Sequence, residues 1–266
     1  MKLKVFICGF HPEERSDEGL QNSMIAKTEG IVLKSFDFRE TSRIATFLTK
    51  DFGKVKGVLK GIRKDPGKFA TSLDRFSVND LVYYQYRNSD IHLVSQCDMK
   101  EFFTGLRRDL KRMTAASYAS ELLDTLVVGE QETRELYELM QNFLRRLQTA
   151  EDINKLIYIF QIKVLLFSGF RPHLDSCVRC QKKMTTAAHF SLALGGLVCS
   201  CCQTPSTHVI PITQGTVASI LHIEESLWPQ VLRLGLSPRI KKELKYVLNH
   251  FLVFHLERPL RSSQYL

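Results

Sequence analysis

Four cysteines stand in two matched pairs, Cys177-Val-Arg-Cys180 and Cys199-Ser-Cys201-Cys202, with the spacing C-x2-C-x18-C-x2-C. Two cysteines separated by two residues can turn both sulfurs toward one ion, and two such turns complete a tetrahedral shell with bonds of ~2.3 Å. The spacing points to one structural Zn2+ held by Cys177, Cys180, Cys199 and Cys202. Four thiolates leave no position for water or substrate, so such an ion braces the fold and does not act as a Lewis acid. Cys201 is adjacent to Cys202 and could replace it. The rival readings are a redox C-x-x-C pair and chance clustering. His189 and His208 lie nearby, but a lone histidine beside a complete cysteine set is more often a surface or capping residue than a ligand.

The second chemical feature is charge. Lys54, Lys56, Lys60, Arg63, Lys64 and Lys68 face a single acid, Asp65, over that stretch. Lys54, Lys56 and Lys60 share one parity, so in a strand their ammonium groups line one face, with Arg63, Lys64 and Lys68 on the loop that follows. Lys34, Arg39 and Arg43, a little upstream, join them as candidate contacts to a phosphate backbone. The whole chain carries 37 Lys and Arg against 28 Asp and Glu, a formal charge of +9 that concentrates polyanions such as nucleic acid or acidic lipid. The bland alternative for any one lysine is a solvated strand edge. Phe36, Phe38, Phe52, Phe69, Phe76, Tyr83, Tyr84 and Tyr86 are interspersed with the cations. Because alternate positions of a barrel strand point inward, no more than two or three of them are expected to stack on bases.

These residues need a scaffold, and hydrophobic periodicity supplies one. From residue 27 to about 103 the chain runs in short β-rich segments, GIVLKSF, RIATFLT, KVKGVLKG, LVYYQY and IHLVSQC, punctuated by Asp51-Phe52-Gly53, Asp65-Pro66-Gly67 and Asn88-Ser89-Asp90. Five strands of that spacing predict an OB-fold barrel. After Phe103 the period becomes helical. Leu106, Leu110, Met113, Ser117, Leu122, Leu123 and Leu126 can share one helix face, and further helices are expected at about 133–149 and 152–168. The last of these is apolar almost all round and stops at Gly169, as the centre of a bundle should. Ser237 and Pro238 open a final helix with the stripe Ile240, Leu244, Val247, Leu248 and Phe251. Between the cysteine pairs, residues 189–199 read as a hairpin turning at Gly195-Gly196, which brings the pairs together.

The expected fold is therefore α+β and multidomain. It comprises a leader over 1–23, an OB-fold β-barrel over 24–103, and a helical bundle over 104–266 with an inserted four-cysteine zinc module at 175–210. The leader shows no helix or strand period and is expected to be disordered, with Met24 a candidate for the actual start. Its short apolar run is thinner than a secretory signal, and the most apolar stretch, residues 153–167, is interrupted by Lys155, Gln161 and Lys163 and falls short of the ~20 residues a membrane span requires. Clustered cysteines without an export signal point to a reducing, cytoplasmic setting. Cys97 reads as a small buried hydrophobe, and Cys8 lies alone in the leader.

With these residues placed, the chain resembles the RecO family of bacterial DNA repair proteins over nearly everything from Met24 onward. GIVLKSFDFRETSRIATFLTKDFGKVKGVLKGIRK is similar to the family's first barrel strands, through Glu40-Thr41, Thr49 with Gly53-Lys54, and Lys60-Gly61-Ile62-Arg63. RRDLKRMTAASYASELLDTL resembles its first bundle helix, GFRPHLDSCVRC (with Gly169, Pro172, Leu174 and Cys177) the approach to its zinc motif, and RPLRSSQYL its C-terminal segment. The resemblance implies a nucleoid-associated protein that is not an enzyme. It would bind single- and double-stranded DNA, anneal complementary strands and, with RecR, help RecA load onto DNA coated by single-stranded DNA-binding protein. Two departures stand out: Asp65-Pro66-Gly67 occupies a loop where relatives carry further basic and Ser residues, and the leader has no counterpart. Competing functions are a zinc-ribbon enzyme that modifies nucleic acid and a zinc-stabilised scaffold that docks acidic proteins. No H-E-x-x-H pair, Walker loop or dinucleotide fingerprint favours the enzyme.

Overall fold

In the computed structural model, residues 23–129, 133–184, 188–203 and 209–266 are described. The expected leader, but for Ser23, and with it Cys8 and also His208 lie outside the described residues. Five strands, β1 (Ser23–Phe38), β2 (Ser42–Thr49), β3 (Lys54–Leu59), β4 (Val78–Tyr86) and β5 (His92–Glu101), close into an OB-like barrel in the order β1-β2-β3-β5-β4. Neighbours are antiparallel except at the seam, where β3 meets β5 in parallel through Gly57 with His92 and Val58 with Leu93. A Cβ on Gly57 would lie 2.4 Å from Val94 Cγ2, so closure there requires glycine. The interior is filled by Val32, Ala45, Phe47, Val55, Leu81 and Tyr83, together with Cys97, whose thiol burial pushes up to about 12.

β1 is longer than its apolar run suggests. Its first half, which includes the weak strand formers Lys27 and Glu29, is held by the ladder to β4, and its second half pairs with β2. At the changeover a β-bulge leaves Leu33 without a partner on β2. The Leu33 carbonyl instead accepts from Ser120 Oγ at 2.9 Å and Arg75 Nε at 3.3 Å.

The helices are α1 (Leu110–Leu126), α2 (Arg134–Leu147), α3 (Ile153–Phe167), α4 (Gln214–Glu225), α5 (Trp228–Arg233) and α6 (Pro238–Leu256). α3 has buried residues on every side and packs against α1, α2, α4 and α6. Asp152 caps its start and Gly169, at φ 76°, follows its end. Ser237 Oγ accepts from Ile240 N ahead of α6, with Pro238 at the first helical position. One expected face needs correction. Asp109 ends a short 3-10 turn and caps α1, so the apolar period does not run through it: Leu106 is buried, Leu110 is 82% exposed, and α1 buries Ala115, Ala116, Ala119, Leu122 and Leu123. Between α3 and α4 lies a small sheet, β6 (Ala188–Ser191), β7 (Gly196–Val198) and β8 (Val209–Ile212), in the order β7-β6-β8.

Barrel and bundle are joined by a continuous apolar core that runs from Ile31, Leu33, Leu48, Phe76 and Val78 on the barrel wall into the helices. Ion pairs and hydrogen bonds frame it. Glu29 accepts from Lys100 Nζ at 2.7 Å and from Tyr137 Oη at 3.0 Å, and Arg145 clasps Glu101 through Nε and Nη2 at 2.9 and 2.8 Å. No helix among the described residues is long and apolar enough to cross a membrane. The Lys100 hydrogen bond, opposed by burial and aided by Tyr137, holds the Glu29 carboxyl below its usual range. A carboxyl depressed in the folded state contributes stability above its unfolded pKa and loses it as pH falls through the folded value. Glu29→Gln should therefore lower the melting temperature at pH 7, with the deficit shrinking below about pH 4. A deficit independent of pH would contradict this.

Candidate nucleic-acid interface and metal centre

Cross-strand partners share a face, so the ladder registers define what the barrel presents outward. Ala45, Phe47 and Val55 point inside. On the opposite face of β1, β2 and β3 three rows run across the strands: Ile31–Leu48–Lys54, Lys34–Thr46–Lys56 and Phe36–Ile44–Val58. The first row lies under the bundle. The second is basic, and the third is apolar with Phe36 49% exposed. Thr46 and Ile44 at the centres of these two rows are buried, so what reaches solvent is Lys34 and Lys56 beside Phe36, cations next to a ring, which suits a polymer with charged linkages and flat bases.

The nine expected cationic contacts divide once their neighbours are in place. Lys54 shares outward parity with Lys56, but its side chain is 15% exposed and its Nζ donates to the Asp124 carbonyl at 2.5 Å. Burial beside α1, partly offset by Asp124, lowers its pKa. Lys34 Nζ lies 2.6 Å from Asp124 Oδ2, yet stays half-exposed. Asp37 takes two more cations, Arg43 Nε at 3.3 Å and Arg63 Nε at 3.5 Å. Arg43 also donates to the Ser72 carbonyl, and Arg63 to the Arg39 carbonyl, so both stitch the β1–β2 turn to neighbouring loops. Lys68 Nζ donates to the Lys60 carbonyl at 2.9 Å. Lys56, Lys60 and Lys64 are exposed, and no ion pair or side-chain hydrogen bond engages them among the described residues. Arg39 is also exposed, its guanidinium resting 5.3 Å from the Phe38 ring centre. Lys60 does not extend the strand row, because β3 ends at Leu59 and Lys60 lies in the following turn.

Among the aromatic residues, Phe69, Phe76 and Tyr83 are buried, and Phe52 packs edge-on against Tyr83 at 6.1 Å. Phe36, Phe38, Tyr84 and Tyr86 retain exposed surface. Asp65 caps the departing loop through a 3.1 Å bond from Gly67 N, so the Asp-Pro-Gly departure is a local turn.

The four cysteines converge. The sulfurs of Cys177, Cys180, Cys199 and Cys202 all lie within 4.8 Å of one another, and Cys201 is exposed outside the group. Cys180 Sγ and Cys199 Sγ are 3.6 Å apart, close to the edge of about 3.8 Å in a tetrahedron with ~2.3 Å bonds. Burial pushes the Cys177 thiol up, but N–H groups of Cys180, Cys199 and Arg179 more than reverse this and bring it to about 6. Cys199 and Cys180 in turn push Cys202 up to about 12, a penalty that a divalent cation removes. The set can therefore hold one metal ion, with no ligand position left over. The first knuckle is registered on the small sheet: Val178 N donates to Leu197 O and Leu197 N to His173 O, both at 2.9 Å. A Cβ on Gly196 would lie 2.5 Å from the His173 carbonyl, which explains glycine there. Replacing Cys202 with Ser should abolish bound metal, whereas Cys201→Ser should keep about one ion per chain, measured by elemental analysis. Equal metal content in the two variants would refute the ligand set.

Comparison with known proteins agrees with this arrangement. Residues 24–103 match the family model for the Recombination protein O N terminal, and residues 107–264 that for the Recombination protein O C terminal. A DNA repair protein RecO from Syntrophus aciditrophicus is 31% identical over 90% of this chain and 94% of its own length. Relatives of the same name from Alkaliphilus metalliredigens and Pelotomaculum thermopropionicum are 30% and 31% identical, over 88% and 90% of this chain and 95% and 93% of theirs. A barrel with a basic outer face precedes a helical bundle that carries a four-cysteine knuckle between α3 and α4, the family models match nearly all of residues 24–264, and the chain belongs to the RecO family of DNA repair proteins.

Proposed function

We propose that the chain serves recombinational DNA repair without making or breaking covalent bonds. It binds single- and double-stranded DNA, anneals complementary strands and, with RecR, helps RecA load onto DNA coated by single-stranded DNA-binding protein. The observation that carries the binding step is the pair of adjacent rows on the barrel, Lys34–Thr46–Lys56 beside Phe36–Ile44–Val58, with Lys60, Lys64 and Arg39 at their edge. Two strands repel through their phosphates. Cations that neutralise part of that charge let them approach, and release of condensed counterions supplies much of the affinity. The exposed Phe36 ring offers a surface on which an unpaired base can stack.

The partners and the cytoplasmic, nucleoid-associated location rest on family membership. The metal is proposed to be zinc, the ion that a tetrahedral set of thiolates prefers. Its work is structural, since the cysteines close the shell on every side.

The test is the salt dependence of binding to single-stranded DNA. Replacing Lys56, Lys60 and Lys64 together with Ala should flatten the slope of log affinity against log salt by about 0.7 per lost contact and slow strand annealing. Lys54→Ala should instead lower the melting temperature and leave the slope near that of the parent, because Lys54 is committed to Asp124. If the triple variant retains both slope and annealing rate, the barrel face is not the DNA-binding surface.

A further inference from the structure

β1, α1 and the C-terminal segment enclose a groove of about 570 Å3 at the junction of barrel and bundle. Its apolar lining is Leu33, Met113 and Leu110, the last 82% exposed, interspersed with Thr114, Ser117 and Ser120. Its rim carries Lys34, Arg75 and Arg261, and Tyr265 stands there 72% exposed. Two acids also line it, and both are partnered, largely within the groove itself. Glu121 accepts from the backbone N–H groups of Arg261 and Ser262 at 2.9 Å each, and Asp124 is held by Lys34 and Lys54. Arg75 donates through Nε to the Leu33 carbonyl, and no ion pair or side-chain hydrogen bond occupies the Arg261 guanidinium among the described residues.

We propose that this groove is a second segment of the nucleic-acid path, which takes single-stranded nucleic acid as it leaves the barrel face, with Arg75 and Arg261 on its phosphates and Tyr265 against a base. The proposal rests on the barrel reading above and extends it. Continuity comes from Lys34, which is both an end of the Lys34–Thr46–Lys56 row and part of the groove rim. Specificity for single strands comes from the mixture of surfaces. A duplex hides its bases and offers the apolar lining residues nothing to cover, whereas an unpaired strand presents flat bases and anionic linkages together. Guanidinium groups suit the linkages because their planar N–H forks match phosphate oxygens.

The experiment measures binding of full-length protein to fluorescent oligothymidylates of about 6 and about 20 nucleotides, the shorter within the ~4–16 that one OB fold covers. Arg75→Gln with Arg261→Gln should weaken the longer oligonucleotide about tenfold and reduce its salt slope by about 1.4, for two contacts, while leaving the shorter unchanged. Tyr265→Ala, at an exposed position where folding is not at stake, should weaken the longer alone without altering the slope. The groove proposal is overturned if both variants bind the longer oligonucleotide like the parent, or if the paired Arg changes weaken the two lengths equally. Loss of binding at both lengths on replacing Lys56, Lys60 and Lys64 would then leave the barrel reading standing by itself. No loss at either length in that triple variant would remove the barrel reading and the groove with it.

Discussion

The barrel wall that packs against α1 is the constraint from which the remaining surface chemistry follows. A closed barrel has one inside and one continuous outside, and here part of the outside is spent on an apolar seam with the bundle, through Ile31, Leu33, Leu48, Phe76 and Val78. Removing that area from water favours docking in proportion to its extent, at roughly 25 cal/mol per Å2 of apolar surface. Several cations near the seam are drawn into its frame. Lys54 is the clearest case, since it occupies the same strand face as Lys56 and differs only in lying beneath the helix that carries Asp124.

This explains which parts were legible from the sequence. The cysteine spacing is local chemistry, and four sulfurs meet as the two knuckles imply. The strand segments, the α3 core helix and the Ser237-Pro238 start of α6 are also local patterns, and they stand where periodicity and capping place them. The fate of the cations was not legible, because their partners are remote or misleadingly close. Asp124 lies 70 positions beyond Lys54, and Asp37 sits in a strand whose neighbours only the fold supplies.

The errors in element placement have similar causes. The apolar period along the sequence runs on through Asp109, although a side chain that accepts from Lys111 N is a helix start and not a helix interior. The first half of β1 has modest strand propensity and is fixed by its ladder to β4. α4 and α5 are short, lack side-chain caps, and gain their place by packing on α3 and the core. Tertiary burial, which no window along the chain reports, decides the strand half and the two short helices, whereas the start of α1 is set by its own local cap.

The bulge in β1 gives one strand two trades. A regular strand alternates sides, yet Leu33 and Lys34 emerge consecutively on the same side, the former into the dry seam and the latter onto the wet basic row. From Lys34 onward, the in-and-out assignment depends on that one supernumerary residue. If Leu33 instead took the ladder place opposite Thr46, strict alternation would return and the sides of everything downstream would swap, turning Lys34 and Phe36 toward the lumen. Outright loss of Leu33 would leave those sides as they are, joining Val32–Phe47 and Lys34–Thr46 into a regular ladder, and would remove the seam side chain and the free carbonyl that the extra residue supplies to the bundle.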